Sequence, residues 1–144
     1  MNIFISFAYC NTNIEKTTQN MSFIVDVINK SNNFAYCNLF DESIQKYIEK
    51  NDTKSIFKHT LKKEAQFDAV FVIINEPTVS NGQCIEIGVA LYLNIPIIIF
   101  EHNSIKEKSY IAKLSNYKYT WNSNESLLKQ IKKAAAKLSS NTNS

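Results

Sequence analysis

One carboxylate, Glu86, is the residue of this chain best placed to do chemistry. It is the single charge in CIEIGVALYL, residues 84–93, an otherwise apolar segment expected to form a helix. A helix of this kind should be largely buried, and an unpaired carboxylate on it would cost several kcal/mol. Glu86 is therefore expected to face water or a cleft. Its position near the helix start favours the anion, which suits a nucleophile better than a proton donor.

Sequence alone leaves a second explanation open, in which Glu86 is an ordinary acid that complements the helix dipole. Gly88 lies about 200° around the helix from Glu86. The absence of a side chain there is expected to let the helix approach the sheet while Glu86 faces the opening.

The elements that position Glu86 alternate between strand and helix. Runs rich in Val, Ile and aromatic residues predict strands at residues 2–7, 34–40, 68–74, 95–100 and 117–121. Helical spacing predicts helices at residues 13–30, 41–50, 54–66, 83–93 and 104–114, and a final one around residues 127–138. Thr12 and Glu15 match a capping box for the first helix. The alternation predicts an α/β fold with a parallel sheet between two helix layers.

One domain is expected over residues 1–138, with residues 139–144 as a disordered tail, because 144 residues suit a single core. Ligands of open α/β sheets bind at the carboxyl ends of the strands. The loops concerned are residues 6–13, 75–82 and 101–109. Ser6, Tyr9 and Gly82 lie on them and are expected to contact substrate. Tyr9 could line a sugar pocket or stack on a base, and simple packing explains it equally well.

Composition excludes several classes of function. The net charge of +3 is too small to favour a nucleic-acid partner, and the Lys residues of the last helix predict a solvated face. All sixteen basic residues are Lys, so a phosphate would be held by Lys, hydroxyls or backbone N–H groups.

The three cysteines are odd in number and far apart, so neither a disulfide framework nor a metal site is expected. The longest apolar segment, residues 84–100, is interrupted by Glu86, Asn94 and Pro96, which argues against a membrane span. The first residues also lack the features of a signal peptide. A cytoplasmic location is expected.

The segment FDAVFVIINEPTVSNGQCIEIGVALYLNIPIIIF resembles the nucleoside 2-deoxyribosyltransferase superfamily, which carries its catalytic Glu in a similar G…EIG pattern. Within that superfamily it is most similar to the 2'-deoxynucleoside 5'-phosphate N-hydrolases. The loop with Pro77, the EIG core at residues 86–88 and SIKEKS at residues 104–109 fall in comparable places. The specific likeness covers about residues 60–111.

This resemblance implies a flavodoxin-like, Rossmann-like sheet in the order 2-1-3-4-5 and a homodimer without a cofactor. It implies that Glu86 attacks the anomeric carbon of a nucleoside or nucleoside 5'-monophosphate, followed by hydrolysis or base transfer. The phosphate-binding hydroxyls would be Ser80 or Thr78, and Ser109, the last reaching a neighbouring subunit's site.

The general-acid Asp of the superfamily is replaced here by Thr60, which cannot donate a proton in that way. The adjacent His59 could protonate a departing base, although neighbouring helical residues point about 100° apart. Asp41 or Glu42 could also supply the acid, and a role at a helix start explains them as well. The first-strand loop, residues 7–11, has neither Gly nor Arg, which places a phosphate site there in doubt.

Two other functions compete with this one. The opening IFISFA resembles the first strand of TIR domains, which implies a TIR-like NAD hydrolase in which Glu86 keeps its role. The loss of the acid at Thr60 favours instead a non-catalytic nucleotide-binding module. A concave pocket that holds Glu86, Ser80 and Tyr9, with a hydroxyl or imidazole in hydrogen-bonding reach, would favour an enzyme.

Overall fold

A five-stranded parallel sheet forms the centre of the protein. The computed structural model describes residues 1–8, 13–75, 79–106 and 110–141. The strands are β1 (Asn2–Phe7), β2 (Phe34–Tyr36), β3 (Ala69–Ile74), β4 (Ile97–His102) and β5 (Tyr117–Trp121). Their order is β2-β1-β3-β4-β5, and every neighbouring pair is parallel. Both the α/β fold and the strand order therefore agree with the prediction.

In the described residues, four α-helices lie between strands and a fifth follows β5. They are α1 (Ile14–Asn29), α2 (Gln45–Ile48), α3 (Thr53–Glu64), α4 (Asn81–Tyr92) and α5 (Asn124–Asn141). Short 3-10 segments occur at Asn38–Phe40, Glu42–Ile44 and Tyr110–Leu114. No helix in the described parts of the chain has both the length and the apolar character needed to cross a bilayer.

The helices cover the sheet in two layers because successive strand residues point to opposite faces. Ile3 and Ile5 of β1 pack with α1 and α5, which lie together on one face. Phe4, between them, belongs to the opposite core, to which α4 contributes Ile87 and Ala90. Helix α3 packs beside α4. The carboxyl ends of β1 and β3 thus open towards the start of α4.

Several element boundaries differ from the prediction. Strand β2 ends at Tyr36 instead of Phe40, because it pairs only with β1 and the chain then turns into a 3-10 segment. The described part of the segment predicted as a helix at residues 104–114 has a turn near Asn103 and a 3-10 segment, Tyr110–Leu114, and residues 107–109 lie outside the described residues. Asn13 caps α1, accepting from the Lys16 N–H at 3.1 Å, and Thr12, the predicted cap, lies outside the described residues. Helix α5 continues to Asn141, beyond the domain end predicted at residue 138.

Helix α4 is buried on one side only, so the prediction of a largely buried helix is wrong. Its outer side exposes Cys84, Ile85 and Gly88, and Tyr92 is 85% exposed. A Cβ added to Gly88 would meet nothing within 4 Å, so this glycine does not bring the helix close to the sheet. Glu86 lies on the buried side instead.

Candidate active site

A cleft opens at the carboxyl ends of β1 and β3. Its volume is about 930 Å³, and it is lined by Phe7 and Ala8 after β1, Asn75 after β3, and the start of α4. Helices α2 and α3 form the facing wall. This is the edge where parallel sheets bind ligands, and the volume suits a small organic molecule.

Glu86 forms part of the cleft wall, although it is only 8% exposed. The Ser6 hydroxyl donates a hydrogen bond to Glu86 Oε2. Burial raises the pKa of Glu86 to about 7, and this hydrogen bond opposes the rise because it stabilises the anion. The expectation that the helix dipole favours ionisation is therefore outweighed by burial. Glu86 lies in the second turn of α4, where the dipole has already weakened.

The first turn of α4 is fixed to the sheet by Gln83. Its Nε2 donates to the carbonyl oxygens of Ile73, at 2.9 Å, and Ser6, at 3.4 Å. Its Oε1 accepts from the Ser80 N–H at 3.3 Å, while Ser80 Oγ accepts from the Gln83 N–H at 3.2 Å. These bonds form a capping box that also spans two strands. Glu86, one turn further along, is thereby held in position.

The walls of the cleft are mostly apolar. Ile14, Ile44, Ile48, Ile56 and Phe57 contribute to them. Phe57 Cζ would lie 3.8 Å from a Cβ built on Gly82, which places its ring against the start of α4. An aromatic ring beside a carboxylate can pack on a flat heterocycle, and sequence reasoning did not identify Phe57.

A smaller group of polar atoms faces the same space. Asn38 Nδ2 donates to Thr60 Oγ1 at 3.0 Å, and both residues line the cleft. Asn38 Oδ1 is buried, and no described residue donates to it. It is an unused acceptor on a residue that lines the cleft. Asn38 was predicted to lie in a strand, so its contact with Thr60 was not predicted.

The predicted site residues are only partly brought together. Glu86, Ser80 and Gly82 line the cleft. Ser6 is 1% exposed and lies behind Glu86, so it reaches the cleft through that carboxylate. Tyr9, Thr78 and Ser109 fall outside the described residues.

His59 is placed in a different polar group. Its Nε2 lies 2.9 Å from Asp41 Oδ2 and 3.2 Å from Ser43 Oγ, and Tyr36 donates to the same Asp41 oxygen. Burial opposes ionisation of Asp41, but the hydrogen bonds from Ser43, Tyr36 and His59 prevail and hold its pKa well below the ordinary value. Asp41 is therefore an anion at neutral pH, not a proton donor. Neither His59 nor Asp41 is among the described residues that line the cleft.

Glu64, at the end of α3, is a second carboxyl group near Glu86. It is 0% exposed, and neither of its oxygens has a hydrogen-bond partner among the described residues. Burial and the negative charge of Glu86 raise the pKa of Glu64 to about 8. Sequence reasoning missed this residue because it ends a Lys-rich, polar helix, a pattern that predicts a solvent-exposed helix end. Within the described ranges, no group of three His, Cys, Asp or Glu residues could hold a metal ion.

No protein-family model and no curated protein matches this chain. Solved structures do share its fold. The CMP N-glycosidase BcmB of Clostridium botulinum gives a TM-score of 0.63 at 14% identity, covering 93% of this chain and 99% of that one. A 2-deoxyribosyltransferase of Bacillus psychrosaccharolyticus gives 0.60 at 13% identity, with coverages of 92% and 90%.

A conserved protein of Enterococcus faecalis V583 is also similar, with a TM-score of 0.56 at 18% identity over 93% of this chain and 98% of that one. At these identities the likeness establishes a common fold. One of these proteins is named a 2-deoxyribosyltransferase, the class of enzyme that residues 60–111 resemble, so the fold that this resemblance implies is confirmed.

Proposed function

We propose that this protein cleaves the N-glycosidic bond of a nucleoside or nucleoside 5'-monophosphate, with Glu86 as the nucleophile. The observation that carries the proposal is the Glu86 carboxylate in the wall of a deep cleft, held by the Ser6 hydroxyl. A fixed carboxylate of this kind can attack a sugar carbon without first having to be ordered. The fold shared with an N-glycosidase and a deoxyribosyltransferase supports the same reaction class.

The reaction proceeds in two steps. A Glu86 oxygen bonds to the anomeric carbon as the carbon–nitrogen bond breaks, and the bonding electrons leave with the base, which takes up a proton. Water then opens the glycosyl ester, giving hydrolysis, or a second base does so, giving transfer. Ionised Glu86 is required in the first step, and the hydrogen bond from Ser6 supports that form.

The cleft offers a surface for each part of such a substrate. Phe57 and the neighbouring Ile side chains provide an apolar wall for the base. Asn38 lines the cleft, and we propose that its unused acceptor Oδ1 turns towards a sugar hydroxyl or an amino group of the base when substrate binds. Ser80 Oγ accepts from the Gln83 N–H, and a hydroxyl that accepts can still donate, which fits the proposed contact with a 5'-phosphate. Tyr9, Thr78 and Ser109 remain proposed contacts.

The test is chromatographic detection of free base. The protein is incubated with deoxynucleosides, their 5'-monophosphates, ribonucleotides and NAD, with and without a second base as acceptor. We expect base release by the wild-type protein and by a Glu49→Gln control, whose residue is exposed outside the cleft. Glu86→Gln should lose the activity by a factor of at least about 10³, as expected for loss of a covalent nucleophile.

Each other outcome supports a different function. Release of nicotinamide from NAD alone would favour the TIR-like reaction. A folded protein that releases nothing but binds nucleotides would favour the non-catalytic module. Equal activity of the Glu86→Gln variant would remove Glu86 as the nucleophile.

We also propose that the chain forms a homodimer through the outer side of α4. Ile85 and Leu91 are each 43% exposed there, next to Cys84, Gly88 and the still more exposed Tyr92. A contiguous apolar surface on a helix is typical of a protein contact. It lies on the helix that carries Glu86, so a partner there would sit close to the site.

Measurement of mass in solution tests this assembly. Ile85→Lys places a charge in the proposed contact and should shift the protein towards the monomer. Phe23→Lys is the matched control, because Phe23 is 50% exposed on α1, on the opposite face of the sheet. A monomeric wild-type protein, or dissociation by Phe23→Lys alone, would contradict the proposed interface.

A further inference from the structure

Glu64 is a buried ionisable group that has no role in the reaction proposed above. Its side chain is fully buried, and its two oxygens meet no donor among the described residues. An isolated carboxylate in such a place would be very costly, so the side chain holds a proton instead. A buried carboxylic acid whose oxygens make no hydrogen bond keeps a proton that it can donate.

The position of Glu64 connects it to the cleft. Thr60 precedes it by one turn of α3, so the two side chains share a face of the helix about 5–6 Å apart at Cβ. Thr60 lines the cleft, and its Oγ1 accepts from Asn38 Nδ2. Because that oxygen already accepts, the Thr60 hydroxyl hydrogen is directed elsewhere and can be passed on.

We propose that Glu64 holds the proton that the departing base takes up, and passes it into the cleft by way of the Thr60 hydroxyl. This inference rests on the proposed cleavage by Glu86. Glu64 does not line the cleft and makes no hydrogen bond to Thr60 in this structure, so the transfer to Thr60 runs across one bridging water. His59 and Asp41, bonded to each other, take no part in this transfer.

The proton and charge balance of the reaction agrees with this role. Before reaction Glu86 is anionic and Glu64 is neutral. When Glu86 bonds to the sugar it becomes a neutral ester, the Glu64 proton goes to a base nitrogen through Thr60, and Glu64 becomes the anion. Water then opens the ester, its proton returns to Glu64, and Glu86 regains its charge. The pair carries one negative charge throughout.

Because the two carboxyl groups interact, Glu64 becomes more acidic at the step in which the base departs. The negative charge of Glu86 is one of the causes that raise the pKa of Glu64. Formation of the ester removes that charge, so Glu64 becomes a stronger acid at the step in which the base needs a proton. The pair therefore titrates as a unit whose two carboxyls exchange one charge.

Few other ionisable groups act on Glu64. From α4, Glu86 is the one described residue whose charge contributes to the raised pKa of Glu64. The charge of Glu86 also contributes to the raised pKa of Tyr36 on β2, but the Tyr36 hydroxyl donates a hydrogen bond to Asp41. The ammonium group of Lys63, the residue before Glu64, lies over the Tyr36 ring, 5.9 Å from its centre.

Activity measurements with two kinds of leaving group test the proposal. Glu64→Gln keeps the shape and removes the proton, so release of an ordinary base should fall by about 10²–10⁴. A nitrophenyl deoxyriboside, whose leaving group needs no proton, should react at nearly the wild-type rate. Thr60→Val should give the same pattern, and Glu49→Gln should match the wild type. The fall in kcat/KM at alkaline pH should disappear in Glu64→Gln.

Equal slowing of both substrates by Glu64→Gln would reduce Glu64 to a structural role and overturn the proposal. If that variant does not fold, Thr60→Val decides by the same comparison. A second measurement is independent of activity: titration of ¹³C-labelled Glu64 by NMR, where the pKa should fall when Glu86→Gln removes the neighbouring charge. An unchanged pKa would overturn the inference even if base release, and with it the proposed function, is found.

Discussion

The Ser6 hydroxyl at the end of β1 donates to the Glu86 carboxylate on α4, across 80 residues of sequence. This bond joins the strand that begins the chain to the helix of the proposed nucleophile. Because the donor stabilises the anion, it opposes the effect of burial on Glu86. The ionisation of the site thus depends on a residue that does not itself line the cleft.

Substitution Ser6→Ala should shift the acid limb of the pH–rate profile. In the wild-type protein, kcat/KM should rise as pH passes about 7, where Glu86 ionises. Loss of a hydrogen bond to a charged group costs about 1.5–3 kcal/mol, which moves the limb upward by about 1–2 pH units. Ser43→Ala, which removes a hydroxyl from the Asp41 group, should leave the limb in place. An unshifted limb in Ser6→Ala would contradict this assignment.

The variant His59→Gln should release base at nearly the wild-type rate, because His59 contacts Asp41 and Ser43 and is not among the described cleft residues. The measurement is the pH dependence of kcat/KM with an ordinary base as leaving group. A large loss of rate together with a changed alkaline limb would instead identify the imidazole as the general acid.

Glu64 should make the folded protein less stable as pH rises. Its pKa is raised from 4.5 to about 8 on folding, so the native state binds the extra proton between these values. The stability is fully present below about pH 4.5 and is lost as pH rises towards 8, by several kcal/mol. Denaturant unfolding at a series of pH values measures this. Glu64→Gln should reduce the dependence to the smaller part that Glu86 contributes, whereas Glu49→Gln should leave its slope unchanged.

Gly88→Ala should stabilise the monomer. Gly88 is exposed in the interior of α4, and a Cβ there meets nothing within 4 Å. Replacing glycine by alanine in such a position adds about 0.5–1 kcal/mol to the free energy of unfolding. Chemical unfolding at a dilution where the chain is monomeric provides the measurement. A loss of stability would show that this backbone is covered more closely than the structure indicates.

Local sequence patterns determine much of the fold. The strands at residues 2–7 and 117–121 have the predicted ends, because runs of β-branched and aromatic residues have few other stable arrangements. The segment after Asn103 shows where such patterns fail. A helix was predicted at residues 104–114, yet the described residues there form a turn and a 3-10 segment.

The site is less readily predicted than the fold. Glu86 could be found because a single charge in an apolar helix is unusual. Glu64 could not, because its neighbours in sequence are Lys63 and other polar residues that suggest a solvated helix end. Its burial depends on packing between α3 and α4, which no local pattern contains. The same holds for Asn38 and Phe57, which face the cleft only through tertiary structure.

The two carbonyl oxygens that accept from Gln83 belong to β1 and β3, the adjacent central strands. Local opening of the first turn of α4 would break both of these buried hydrogen bonds, which raises its free-energy cost. Amide hydrogen exchange at Gln83 and Cys84, whose N–H groups are bonded to Ser80, should therefore be slow. Unlike a catalytic group on a mobile loop, Glu86 would keep its position for as long as these hydrogen bonds between α4 and the sheet are intact.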